Sequence, residues 1–211
     1  MRRTSSPASR LPLVTAVLCS AAALAGCASL SSLPSAAATD SVPAAQTTAA
    51  QRATPGLVKV HDPKQVTYSR TITSCRFRDG GQLPDPACTP GAIDPAVTQA
   101  NIRSTICRSG YTATVRPSAS QTDRAKFKVA YVAYQVNHSA SSELDHLVSL
   151  ELGGANDIAN LWPEVGKQPN PKDAVENALH RAVCSGTVTL SAAQQAIASD
   201  WTTAETRLGL K

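Results

Sequence analysis

The chain has 211 residues, with 20 Lys and Arg against 15 Asp and Glu, a formal net charge of +5. Arg2, Arg3 and Arg10 contribute three of those charges ahead of an apolar run. Beyond Cys27 the balance is 17 against 15, or +2, which excludes an argument for polyanion binding from bulk charge alone.

The arginines precede the apolar run Leu11 to Leu24 and then Leu24-Ala25-Gly26-Cys27. This order looks like a bacterial lipoprotein signal in which Cys27 receives lipid, with an ordinary secretory signal as the alternative. The run is too short to span a bilayer comfortably. Residues 28–56 consist almost wholly of Ala, Ser, Thr, Pro and Gln and read as a disordered tether. Residues 57–211 are then expected to form one domain, placed outside the cytoplasm and held to the cell envelope by the lipid. Four cysteines remain there: Cys75, Cys88, Cys107 and Cys184. In an oxidising compartment they suggest two disulfides, and no CxxC pair favours a structural zinc site. Three pairings are open; the reading leans to Cys75 with Cys88 and Cys107 with Cys184.

Val66 to Arg78 alternates roughly and is read as a strand. Asp94-Pro95 predicts a helix from Pro95 to about Cys107. Phe127, Ala130, Tyr131 and Tyr134 have helical spacing within Thr122 to Val136, and His138 follows in a polar loop. Leu144 to Leu152 is a strand candidate, Gly153-Gly154 a turn, and Asn160 to Trp162 a short returning strand, with Trp162, Pro163 and Glu164 anchoring that loop in the core and contact of Glu164 with a metal shell as the alternative. Asn170-Pro171 opens a helix by cap and first-turn proline, closing near Cys184 before Ser185-Gly186. Ser191-Ala-Ala-Gln194 reads as the capping box of a final amphipathic helix.

The chemistry concentrates in Glu143-Leu-Asp145-His146, Gly153-Gly154, Asn156-Asp157, Asn160-Leu161-Trp162 and the helix behind them. A neutral histidine can deprotonate water near pH 7, and a neighbouring carboxylate suits a hard divalent cation. Strict alternation sends Asp145 and His146 to opposite strand faces, so a strand end or bulge is needed to bring both to one ion. Asp173, Asn177 and His180, at i, i+4 and i+7, share a helix face; Lys172, Glu176 and His180 form a competing face of paired charges.

Asp145-His146-Leu147, Gly153-Gly154 and Asn160-Leu161 resemble the HNH endonuclease family, whose ββα-metal centre has an Asp-His pair, a glycine-rich turn, a central Asn and a further ligand on a helix. The resemblance spans Asp145 to His180 and extends loosely from Cys88 to Trp201, as a secreted, lipoprotein-type subgroup. It implies His146 as general base, Asn160 as the residue orienting the base and its loop, and Asp145 as metal ligand, with Asn177, then His180, then Asp173 as the helix ligand. The ion implied is Mg²⁺ first, with Mn²⁺ and Zn²⁺ as alternatives.

Arg103, Arg108, Arg116, Arg124, Lys126 and Lys128 cluster against Asp123 alone, and Arg116, Arg124, Lys126 and Lys128 are expected to contact a nucleic-acid backbone. The expectation is therefore an α+β domain, mostly helical around a small ββα centre and stapled by disulfides. Its function would be metal-dependent hydrolysis of DNA, and of RNA as a further substrate, with no protein partner implied. The rival is a non-enzymatic envelope lipoprotein that uses the same scaffold for binding or structure.

Overall fold

The computed structural model describes residues 56–62, 64–138 and 141–211; the expected signal, Cys27 and nearly all of the tether lie outside them. The described residues belong to one compact unit of mixed α and β structure. Near its start, β1 (Val58–Lys59) pairs in parallel with β2 (Ala92–Ile93). Helical segments follow: α1 (Tyr111–Val115), α2 (Ala119–Ala125), a π-helical stretch at Lys126–Ala130 and α3 (Tyr131–Ala133). Strand β3 (Ser142–His146) then pairs antiparallel with β4 (Leu161–Val165), and α4 (Pro171–Ser185), α5 (Leu190–Asp200) and α6 (Ala204–Arg207) complete the chain.

The hairpin and α4 form because local signals agree. Asn170 accepts from the Lys172 backbone N–H, and Asp173 accepts in return from the Asn170 N–H, closing a capping box around Pro171. Gly186, with φ 82°, ends the helix in the left-handed conformation that glycine adopts without cost. Val175, Leu179, Ala182 and Val183 line the buried side of α4 at helical spacing. With Trp162, Tyr131, Leu147, Ile158 and Ile197 they belong to one hydrophobic core. The Gly-Gly turn is equally specific: a Cβ on Gly154 would lie 1.8 Å from the Val148 carbonyl oxygen, so no side chain fits there.

Both disulfides are those favoured from the sequence. Cys75–Cys88 and Cys107–Cys184 have Cα separations of 5.9 and 5.6 Å, within the ordinary range. The second ties α4 to the segment ahead of α1 across 77 residues. They suit an oxidising, extracytoplasmic environment. Among the described residues no helix is long and apolar enough to cross a membrane.

Four elements differ from the sequence reading. Val66 to Arg78 is not a continuous strand and forms only isolated bridges at Thr67 and Arg78. Its groups are held by other partners instead: Thr67 and Ser69 bond the Asp157 carboxylate, and the Cys75 N–H donates to the Ala133 carbonyl. The helix expected from Pro95 is a 3₁₀ turn at Gln99–Ser104, because Thr98 and Asn101 form their own capping box. The strand expected to reach Leu152 stops at His146 and gives way to a 3₁₀ turn at Leu150–Leu152. The last long helix is capped by Thr189, which accepts from Ala192, while the Gln194 amide donates to the Leu152 carbonyl.

Candidate active site

Residues of β3 and β4 face one another in the order Glu143 to Glu164, Leu144 to Pro163, Asp145 to Trp162 and His146 to Leu161. Alternation places Glu143, Asp145, Trp162 and Glu164 on one face and His146 on the other. No bulge interrupts the ladder, so the two halves of the Asp-His pair enter different surroundings.

His146 is buried, and its Nε2 lies 3.0 Å from Asn156 Oδ1. The Asn156 amide is oriented by its own donors: Nδ2 donates to Asp62 Oδ1 at 3.3 Å and to the Val115 carbonyl at 3.0 Å. Oδ1 therefore faces the ring, Nε2 carries the imidazole proton, and Nδ1 keeps its lone pair. Burial drives the His146 pKa down to about 4 against the opposing pull of Asp145 and Asn156, so the ring is neutral near pH 7. Asp62 is itself buried, with Oδ2 unpartnered, and burial pushes its pKa up to about 7.

Asn160 has a different task. Its Oδ1 accepts from the backbone N–H groups of Ala92 and Val148, and its Nδ2 donates to the carbonyls of Val148 and Ala155. Every polar position of the amide is used, three bonds holding the loop between β3 and β4 and one tying it to β2. The loop-holding part of its expected role is therefore present, whereas the bond that orients the imidazole comes from Asn156.

On the opposite face Lys172 is fully buried. Its Nζ donates to Asp145 Oδ2 at 2.7 Å, to the His146 carbonyl at 2.8 Å and to Glu176. Burial penalises this charge, yet Asp145 and Glu176 outweigh the penalty and hold the ammonium above the ordinary lysine pKa. Trp162 adds a bond from Nε1 to Asp145 Oδ2 at 3.3 Å. Glu164 is 2% exposed, and neither of its oxygens has a partner. Burial, with Asp145 and Glu143 nearby, raises its pKa to about 8.

Searches of protein-family models, curated proteins and solved structures returned no match. The site is thus argued from its own geometry.

The expected helix ligands lie apart from Asp145. The Asn177 amide donates to the Asp173 carbonyl one turn back, and the residue lines a surface groove of about 480 Å³ with Arg116, Ser149, Asp173 and Glu176. His180 Nε2 lies 2.9 Å from the Ile106 carbonyl, and Nδ1 is 3.6 Å from Glu151. Cys107, His180 and Cys184 are close together, but both sulfurs are engaged in the disulfide. Asp173 serves the α4 cap.

Among the basic residues, Arg116, Arg124 and Lys128 are exposed. Lys126 instead lies 5.2 Å from the ring centroids of Phe127 and Tyr131 and donates to the Ser142 carbonyl. His138 packs against those same two rings. The sequence singles out Asn156-Asp157 and pairs Lys172 with Glu176 without showing their partners; Asp62 it does not mark at all, since it lies 94 residues from the amide it receives.

Proposed function

We propose that this chain is a metal-dependent endonuclease of the HNH type, acting outside the cytoplasm and, with Cys27 lipidated, at the cell envelope. The observation that carries the reading is the buried imidazole of His146, with its tautomer set by Asn156 and Nδ1 left as proton acceptor. It stands at the end of the first strand of a hairpin followed by a helix, the order of a ββα centre.

In this reading His146 takes the proton from the attacking water, and Asn156 holds the ring while positive charge develops on it. Asn160 fixes the loop that carries Asn156. Arg116, exposed at the groove beside Asn177 and close enough to His146 to influence its charge, contacts the phosphate backbone of DNA or RNA. Arg124 and Lys128 extend that contact. Asp145 is the carboxylate that would hold a divalent ion, Mg²⁺, Mn²⁺ or Zn²⁺, whose chemistry is charge stabilisation on the phosphoryl and leaving oxygens. The hard oxygen donors on the Asp145 face fit such an ion.

Plasmid cleavage by the protein with Mg²⁺ or Mn²⁺ tests the reading. His146→Ala is expected to slow it by about 10²–10⁴-fold, the range for loss of a general base. Equal cleavage by both proteins would remove His146 from the mechanism.

Two observations favour a second reading, a non-catalytic envelope lipoprotein built on the same scaffold: the unbroken ladder sends His146 and Asp145 to opposite faces of β3, and Asp145 already has a counter-ion. The Lys172 ammonium already neutralises Asp145 and bonds the His146 carbonyl, as a structural ion pair does. Calorimetry separates the two: absence of any divalent-ion binding at millimolar concentration supports the scaffold.

A further inference from the structure

We propose that Glu143, Asp145 and Glu164 form a binding site for a hard divalent cation on the hairpin face that Lys172 packs against. As the cofactor site of a nuclease it rests on the reading above; as a cation site it rests on the hairpin alone. Its ligands come from the two strands, whereas the resemblance placed the partner of Asp145 on the helix.

The strand register creates the cluster. Glu143 and Glu164 are a directly opposed cross-strand pair, and Asp145 is two residues along on the same face. Chosen oxygens of all three lie within 4.8 Å of one another. Like charges so placed oppose the hairpin unless a cation joins them.

Glu164 supplies the independent observation. It is 2% exposed, its carboxylate belongs to the cluster, and neither oxygen meets a donor. A buried carboxylate without a partner is costly, and native interiors supply one by hydrogen bond, ion pair or metal. Lys172 bonds Asp145 and Glu176 and gives no bond to Glu164. A hard cation satisfies both Glu164 oxygens and brings the other two acids to the same centre. Glu164 and Trp162 also line a cavity of about 530 Å³ whose walls include Phe77 and Trp201.

The test uses Tb³⁺, a luminescent substitute for Ca²⁺, with the full chain. Trp162 bonds Asp145 directly, so an ion in the site is close enough to receive its excitation energy. The expected result is saturable tryptophan-sensitised emission that excess Ca²⁺ displaces. Glu164→Gln should weaken binding by at least about tenfold, since even indirect supports of a metal site are worth that much. Its near-ultraviolet circular dichroism should be unchanged, and Asn177→Ala should bind as the wild type does. A second measurement is the Ca²⁺-dependent rise in melting temperature, which Glu164→Gln should abolish. Emission that fails to saturate, or that Glu164→Gln retains in full, means an adventitious ion only and overturns the site. Cation binding without plasmid cleavage keeps the site and removes the nuclease; cleavage without sensitised emission does the reverse.

Discussion

Asn156 and Asn160 are four positions apart, both fully enclosed, and they answer to different demands. Asn160 satisfies four backbone groups at once, so Asn160→Ala leaves two N–H donors and two carbonyls short of a partner in a dry interior. The expected loss is about 4 kcal/mol of folding stability, measured by denaturant titration. Asn156→Asp keeps the shape but exchanges the donor that binds Asp62 and Val115 for an acceptor. The acceptor facing Nε2–H remains, so the tautomer holds, while the new buried acceptor faces the Asp62 carboxyl and the Val115 carbonyl and should lower folding stability by at least about 1–3 kcal/mol in a denaturant titration. Asp62 gives a pH prediction. Its folded pKa, about 7, lies above the ordinary 3.8, so the stability linked to its neutral form is fully present below pH 4 and lost as pH rises to 7. Asp62→Asn, which cannot ionise, should therefore melt close to the wild type at pH 4 and several degrees above it at pH 8.

At the level of elements, the hairpin and α4 were readable because their determinants are near neighbours in sequence: Asn170-Pro171 at one helix end, Gly186 at the other, Gly153-Gly154 between the strands. Gly154→Ala should prevent folding, since the 1.8 Å approach to the Val148 carbonyl involves backbone that cannot move aside. What was not readable depends on distant partners. The 66–78 segment has the composition of a strand but takes its bonds from Asp157 and its anchor from Cys88. Lys172 looked like a surface charge two residues into a helix, yet its ammonium is the counter-ion of Asp145 and Glu176. Lys172→Met should destabilise by about 3–5 kcal/mol, the cost of leaving buried acids uncompensated, and Asp145→Asn with Glu176→Gln in the same chain should restore most of it. Strand alternation was anticipated as the obstacle to a shared Asp-His site, and the unbroken ladder shows that it operates.

For the molecule as a whole, the mixed α and β class and the presence of two disulfides followed from patterning and compartment, and the pairing leaned to among three is the one observed, whereas the division of the motif into two chemically distinct faces was not readable. One face carries the imidazole, Asn156 and Asp62; the other carries the acids and Lys172. Between them runs the backbone of β3, and the Lys172 bond to the His146 carbonyl is a direct link from one to the other. The Cys107–Cys184 bridge secures the helix behind both. In the chain-entropy account a closed loop of 77 residues contributes about 4–5 kcal/mol, so replacing both cysteines by Ala should lower stability by that amount in a denaturant titration.

That covalent clasp has a temporal meaning. A freshly synthesised copy still bathed in thiol reductant lacks it, and the helix that backs the imidazole and the acids is then held by packing and by the polar bonds of Lys172 and His180, with no covalent tie. An oxidising compartment is what lets the two sulfurs join, so the helix gains its last fastening only where that chemistry is permitted.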